Sequence, residues 1–244
     1  MTGFIGALVF ALCTLCSAAQ PGPQRVRQKI NRRENSITID YLLDRNEFKS
    51  QDAALTSGVG KWLLKVQEQA QLKLKQDIDV EIKFKIRSLD LTNEEFSKNL
   101  QTWISAGSCG SESLMHAGSV LGEIKEESTY WPSQPHIVCV LTKYKLYQGD
   151  LINLLGYVLH KHLCYTSVPM LLTYNASSDV VNTGKLLSEL VLNSTAENHG
   201  MKWQEYFSIC DRTEQFNRQY VPRSVRTSQS HRYFKHSRRT VELL

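Results

Sequence analysis

After its first 20 residues, the sequence has no apolar run approaching the roughly 20 residues that a membrane-spanning helix needs. It has no internal repeat, no G-x-S-x-G nucleophile elbow and no glycine-rich loop of the phosphate-binding kind. Residues 107–111 and 118–122 come nearest to the elbow, and neither fits it. These absences argue against a serine hydrolase and against a phosphate-binding loop.

The N-terminal residues differ from the rest of the chain. Residues 4–16 are apolar, and Ser17 and Ala19 are the small residues that signal peptidase prefers before a cleavage at Gln20. The apolar stretch is too short to cross a bilayer comfortably. We therefore expect a signal peptide over residues 1–19 and a secreted protein, with a buried N-terminal helix as the alternative.

Cysteine and asparagine usage fits an oxidising compartment. An even number of cysteines remains after residue 19, which predicts two disulfide bonds in one of three pairings. Such bridging argues against a cysteine nucleophile paired with a distant histidine. Asn175 and Asn193 each begin an N-x-S/T acceptor sequence for glycosylation, which matters only in a secreted protein. The four cysteines are Cys109, Cys139, Cys164 and Cys210.

Acidic residues are nearly absent from both ends of the predicted mature chain, with Glu242 as the exception. Residues 20–33 have five basic residues and residues 218–241 have seven, with no acid in either segment. Residues 34–217 hold 17 basic and 23 acidic residues, a net charge of −6. We assign residues 20–34 and 221–244 as basic terminal segments, a composition that usually stays disordered. They suggest either simple solubilisation or attraction to sulfated glycans and acidic membrane surfaces. Arg32–Arg33 and Arg238–Arg239 also resemble dibasic processing sites.

Hydrophobic periodicity predicts strands alternating with helices between these ends. Residues 80–86 alternate strictly between apolar and charged side chains, as an edge strand or a strand with one solvated side does. Thr92 and Glu95 form a capping box, and Ser178 or Asp179 would cap a later helix. The order of elements predicts an α/β fold with a mixed five-stranded sheet flanked by helices. The predicted strands are 36–43, 80–86, 136–141, 156–165 and 170–174, the helices are 52–75, 92–104, 179–198 and 211–220, and residues 149–155 are a loop or helical turn.

The helix predicted over residues 179–198 has the spacing of a zinc-binding helix without its ligands. In the pattern H-E-x-x-H-x-x-G-x-x-H, which is usually followed by D-G, three histidines bind zinc and the glutamate acts as general base. Glu189 stands at the position of that glutamate, and Gly200 matches the glycine that usually ends the motif. The other positions differ: Ser188, Leu192 and Asn198 replace the histidines, Thr195 replaces the helix-breaking glycine, and His199 replaces an aspartate.

Two flanking segments strengthen this match. Residues 156–164 (GYVLHKHLC) are similar to a G-x-A-Y-V-G-x-x-C edge strand, and residues 207–211 (FSICD) are similar to an F-S-x-C-S segment that opens a final helix. Over residues 35–220 the chain therefore resembles the reprolysin-like metzincin metalloproteases. It more closely resembles the 28 kDa salivary family of metastriate ticks, which often lacks the zinc motif. The resemblance implies a metzincin-like domain whose C-terminal subdomain is abbreviated, because Gly200 and Phe207 are too close for a normal Met-turn.

The departures from the zinc motif imply a protein without catalysis. Zinc catalysis needs three protein ligands and an open water position, and none of the three ligand positions holds a metal-binding side chain. We expect no metal, no cofactor and no catalytic residue, with Glu189 as a remnant of the general base and Asn193 carrying a glycan beside the former cleft. The resemblance implies a secreted protein that binds a host or extracellular macromolecule and modulates haemostasis or immunity.

Two other functions remain open. His160, His162 and Cys164 alternate along a predicted strand and would share one face, as zinc or copper ligands can; with His199, the two histidines could serve an active zinc endopeptidase with unorthodox ligands. The basic ends could instead make a glycan-binding protein. If the resemblance holds, residues 157–163 border the former cleft and form an edge to which an extended partner could add. We expect no nucleic-acid partner.

Overall fold

A computed structural model describes residues 35–105, 113–177, 179–196 and 200–220, with the backbone alone for residues 213–220. The predicted signal peptide, both basic ends, Cys109, Asn198 and His199 lie outside the described residues. In chain order the strands are β1 (Asn35–Leu43), β2 (Ile82–Leu91), β3 (Ile104–Ser105), β4 (Leu114–His116), β5 (Ile137–Thr142), β6 (Lys145–Gln148), β7 (Leu151–Leu154), β8 (Gly156–Val158) and β9 (Val168–Thr173). The helices are α1 (Gly58–Ile78), α2 (Glu94–Thr102), α3 (Ala117–Thr129), α4 (Val180–Asn193) and α5 (Trp203–Tyr220).

The central sheet has five strands in the order β2-β1-β5-β9-β8. β1 pairs in parallel with β2 and β5, and β5 pairs in parallel with β9, whereas β8 is antiparallel to β9. β1, β5 and β9 are buried along their whole length because helices cover both faces of the sheet. The predicted mixed five-stranded sheet is confirmed, and β2, with its alternating charges, is an edge strand of it.

A second sheet, which the sequence did not predict, has the order β3-β4-β6-β7 among the described residues. β6 and β7 form an antiparallel hairpin, and Gly149 at its turn has a positive φ of 56°. The prediction of a loop or helical turn over residues 149–155 is therefore wrong. Glycine and aspartate in the turn gave the segment the composition of a loop although strand residues follow at once.

The helices divide into two layers because alternate residues of each strand point to opposite faces. Ile37, Ile39 and Tyr41 of β1 face a core built with α1, α4 and α5. Leu42 faces a second core built with α2 and α3. The result is a sandwich of helices, sheet and helices.

Several helix boundaries differ from the predicted ones. α3 was not predicted, since Gly118 and Gly122 gave its sequence a loop-like composition. α2 begins after Asn93, whose side chain accepts from the Phe96 N–H, so Asn93 and not Thr92 is the N-cap. α5 starts eight residues before the predicted position 211, because Trp203, Tyr206, Phe207 and Cys210 follow helical spacing and bury one stripe. Residues 207–210 thus lie inside the last helix.

Hydrogen bonds join the start of β1 to α5. The Asp211 carboxylate accepts from both the backbone N–H and the hydroxyl of Ser36, at 3.0 and 2.9 Å. Beside it, Nδ1 of His136 accepts from the Thr38 N–H at 2.9 Å, and Nε2 of His136 lies 3.1 Å from the Cys210 carbonyl oxygen. All of these groups are buried. The polar contacts therefore fix the last helix against the first strand.

Candidate functional site

α4 is the helix whose sequence has the spacing of the zinc-binding pattern. It begins at the predicted cap: the Asp179 side chain accepts from the Val181 N–H at 2.9 Å. Its buried face includes Gly184, Leu187, Ser188 and Val191 and lies against α1 and the sheet. Gly184 permits a very close crossing of α1, because a Cβ added there would lie 2.4 Å from Cβ of Gln69. α4 is thus held tightly in the core.

The first two positions that align with zinc ligands in that pattern have packing roles. Ser188 has no exposed surface, and its hydroxyl donates to the Lys185 carbonyl oxygen of its own helix at 2.7 Å. Leu192, one turn later, is half-buried and packs against the larger core. A hydroxyl engaged with its own backbone and an aliphatic side chain are poor metal ligands.

Glu189 lies on the opposite, exposed face of α4. Asn193 is also exposed, four residues later, and residues four apart on a helix share a face. Helix α4 ends at Asn193, five residues before the predicted end, and Ser194 and Thr195 are buried. A glycan on Asn193 would therefore stand over the side of the helix that carries Glu189.

The segment after β8 does not continue as the predicted strand. β8 ends at Val158, and residues 159–162 leave the sheet before a turn that brings Cys164 to a left-handed φ of 72°. Burial of Leu163 and Cys164 under α4 and α5 requires that turn. The expectation that His160, His162 and Cys164 project from one face of a strand is therefore wrong.

The two histidines have different surroundings. Nδ1 of His160 lies 3.4 Å from the Lys125 ammonium, while His162 is exposed. Partial burial lowers the pKa of His160, and the nearby charges of Lys125 and His162 lower it further. A lysine at this nitrogen opposes the approach of a metal cation by charge repulsion. Among the described residues, no group of three or more His, Cys, Asp and Glu side chains has an arrangement that could hold a metal ion.

One disulfide joins Cys164 to Cys210 and so connects the loop after β8 to α5. Cys139 is a free thiol buried in β5, and its burial raises its pKa. The prediction that Cys139 takes part in a second disulfide is therefore wrong, while Cys109 lies outside the described residues. A central strand buried by helices on both faces holds Cys139 away from the surface.

Tyr206 was not singled out from the sequence, yet it joins three segments around the end of α4. Its hydroxyl donates to the Leu163 carbonyl oxygen at 2.7 Å and accepts from the Ala196 N–H at 3.0 Å. The Leu163 N–H in turn donates to the Ser194 carbonyl oxygen at 2.9 Å. The Tyr206 ring contacts those of Trp203, Tyr165 and Phe207. The helical spacing of Trp203, Tyr206 and Phe207 was the available signal in the sequence.

The second acceptor sequence lies in a different place. Asn175 is exposed just after β9, and its side-chain oxygen accepts from both the backbone N–H and the hydroxyl of Ser177, at 3.0 and 2.7 Å. Thr195, the hydroxyl residue of the other sequence, is buried and donates to the Leu192 carbonyl oxygen. The Asn175 sequence is thus the more accessible one in the folded chain.

Comparison of the chain with protein-family models found no match, and comparison with curated proteins found none either. In the part of the chain that the structure describes, no helix is long and apolar enough to cross a membrane. The Cys164–Cys210 disulfide is a bond typical of secreted proteins.

Proposed function

We propose that the protein is a secreted, non-catalytic binding protein on a reprolysin-like metzincin scaffold. The observation that carries the proposal is the state of Ser188: the residue aligned with the first zinc ligand is fully buried, with its hydroxyl bound to the Lys185 carbonyl oxygen. Leu192 supports it, since the second ligand position packs in the core. The antiparallel edge strand β8, which precedes α4 in the chain, is consistent with the edge strand that the resemblance implies.

The binding partner we infer is a host or extracellular macromolecule, and the consequence would be modulation of haemostasis or immunity. This part of the proposal rests on the resemblance to the tick salivary family. Loss of the ligands leaves the exposed surface of the scaffold as the part that can act. Exposure of Asn175 and Asn193 is consistent with a glycosylated, secreted chain.

The test measures metal and proteolysis together. We expect purified secreted protein, dialysed against micromolar zinc, to retain far less than one equivalent and to leave casein and gelatin intact. Stoichiometric zinc together with cleavage that a chelator abolishes would contradict the proposal. The Glu189→Gln variant is the control, because cleavage that persists in it comes from a contaminant or from another site.

A glycan-binding protein is the second candidate, favoured by the twelve basic residues without an acid in residues 20–33 and 218–241. Retention on heparin that falls with salt, and is lost when residues 221–244 are deleted, would support it because exposed charges are screened by salt. An active endopeptidase using His160, His162 and His199 is the third, and the Lys125 ammonium beside His160 disfavours it.

A further inference from the structure

The edges of the two sheets differ in how they are protected against pairing with another strand. An exposed sheet edge offers unpaired N–H and C=O groups, and charged side chains along it discourage pairing. β2 carries Lys83, Lys85 and Arg87 at alternate positions. β7 and the residues after it have no such protection: residues 151–159 (LINLLGYVL) contain no charged side chain.

The same segment holds an unusual share of the exposed apolar side chains. Leu151, Ile152, Leu155 and Leu159 are 57%, 61%, 50% and 50% exposed. Leu151 and Ile152 are neighbours in β7 and point to opposite faces, so both faces are exposed at the start of this strand, whereas Leu154 at its end packs against the second core. Four exposed aliphatic side chains thus lie within nine residues of the chain, and clustered exposed apolar residues mark an interaction site more often than scattered ones do.

From this edge we propose that β7 is a self-association surface, on which two copies of the chain pair their β7 strands antiparallel about a two-fold axis. A strand partner fits the site because, among the described residues, no strand lies on the side of β7 away from β6, so the peptide groups on that side can pair with an added strand. A lipid surface cannot supply them, since open sheet edges do not enter hydrocarbon. The partner must therefore bring an extended strand of its own.

Charge and closure favour a second copy as the source of that strand. Self-pairing of β7 brings no like charges together, whereas self-pairing of β2 would bring lysines toward lysines. Because one side of β7 is already bonded to β6, pairing of the other side with its own copy closes the assembly at two chains. The proposal does not depend on the proposed function.

The pairing is expected to be weak. A patch of these side chains amounts to on the order of a few hundred Å² per copy, against about 1,200–2,000 Å² in total for a stable complex. Asn153, with a positive φ of 59°, also interrupts the strand and limits its backbone hydrogen bonds. We therefore expect a dissociation constant on the order of micromolar or weaker.

Sedimentation equilibrium of the full chain over a concentration series tests the proposal. We expect a reversible dimer, and at least a tenfold weaker association in Ile152→Lys, which places a charge opposite its copy. Leu72→Lys is the matched control, since Leu72 is 51% exposed but lies on α1. The proposal is overturned if the chain stays monomeric throughout, or if both variants weaken the dimer equally.

Cross-linking gives a second measurement that does not depend on a disruptive variant. Under mild oxidation, Ile152→Cys should form a covalent dimer, because a residue at the middle of a two-fold strand pair meets its copy, while Leu72→Cys should not. Two other occupants would overturn the proposal. One is a monomeric chain whose Ile152 binds vesicles of phosphatidylcholine and phosphatidylserine; the other is a monomeric chain whose edge binds only an added apolar peptide.

Discussion

The two helical layers differ in what holds their helices together. α1 and α4 cross closely at Gly184, and the disulfide and the Tyr206 hydroxyl fasten the residues around α4 to α5. α2 and α3 meet partly through polar side chains: Asn93 donates to Glu127 at 3.1 Å and Asn99 donates to Glu123 at 3.2 Å. The layer that contains α4 is thus the one fixed by steric fit and a covalent bond.

That difference bears on the positions of α4 that align with the zinc-binding pattern. A ligand position in an active site must keep a lone pair exposed to the cleft. In α4 the two described positions, Ser188 and Leu192, instead supply packing. The layer of α2 and α3 contains a carboxyl group with a shifted pKa. Burial raises the pKa of Glu127 to about 7, and the charges of Glu123 and Glu95 add to the effect.

Removing the Cys164–Cys210 disulfide should cause the largest loss of stability in the layer of α1, α4 and α5. We expect Cys164→Ala with Cys210→Ala to lower the free energy of unfolding by about 2–4 kcal/mol, because the bridge closes a loop across 46 residues. Urea unfolding without a reducing agent measures this change in the free energy of unfolding. Cys139→Ala, which removes one buried sulfur and no bridge, is the comparison, and an equal loss in both would contradict the expectation.

Gly184→Ala tests the close crossing of α1 and α4. A Cβ there meets Cβ of Gln69 and the backbone of Ala70 and Val66, at 2.4, 3.1 and 3.1 Å, so α4 must move and we expect a loss of about 1–3 kcal/mol. Gly122 of α3 is the matched control, since nothing lies within 4 Å of a Cβ there. Gly122→Ala should stabilise by about 0.5–1 kcal/mol through helix propensity. If thermal unfolding shows that Gly184→Ala and Gly122→Ala shift the Tm in the same direction, the expectation is contradicted.

Glu127→Gln tests the polar contact of the second layer. The pKa of Glu127 in the fold, about 7, lies above its ordinary 4.5. The folded chain therefore binds this proton more tightly, and the resulting stability is lost as pH rises from about 4.5 through 7. After allowance for solvent screening of this partly exposed group, we expect the variant to be more stable than the wild type by about 1 kcal/mol at pH 8. The difference in unfolding free energy between the variant and the wild type should disappear near pH 4.5.

A pH series of unfolding curves measures that difference. Glu126→Gln, at an exposed position next to Glu127, is the control. If both variants gain the same stability at pH 8, general relief of negative charge explains the effect, and the burial of Glu127 does not.

The smallest effect concerns Ser188. Because its hydroxyl bonds only to the carbonyl of its own helix, Ser188→Ala should change the unfolding free energy by less than about 0.5 kcal/mol. Ser188→His should cost about 1–3 kcal/mol or more, since an imidazole has no room at a fully buried position. A histidine tolerated there without loss would mean that the position opens to a cleft.

The sequence predicted the central sheet because β5 and β9 are mainly apolar runs, β1 alternates at first and then becomes apolar, and β2 alternates strictly. Local patterns failed where distant contacts decide the conformation. The sequence after Gly156 suggested a long strand. The chain instead leaves the sheet after Val158, because the disulfide of Cys164 and the hydrogen bond of Leu163 hold the following residues elsewhere. The glycines of α3 kept the sequence from predicting a helix there, although its Val120, Leu121 and Ile124 fill the second core.

The candidate site was predicted in part. The sequence placed Ser188, Glu189 and Leu192 on one helix with Asp179 as a possible cap, and the structure has that helix and that cap. It could not assign the disulfide partners, because four cysteines allow three pairings. Nor could it foresee Tyr206 or His136, whose partners lie 43 and 98 residues away in the chain.

The contact between Ser36 and Asp211 spans 175 residues and has a consequence for biogenesis. During synthesis the first strand of the central sheet emerges long before the helix that supplies its carboxylate partner. Contacts between such distant residues carry a high loop-closure cost and form slowly. Until α5 is made, Ser36 lacks the Asp211 carboxylate, and the apolar face of β1 that α5 covers stays exposed. We therefore expect nascent chains that stop before residue 211 to remain clients of chaperones.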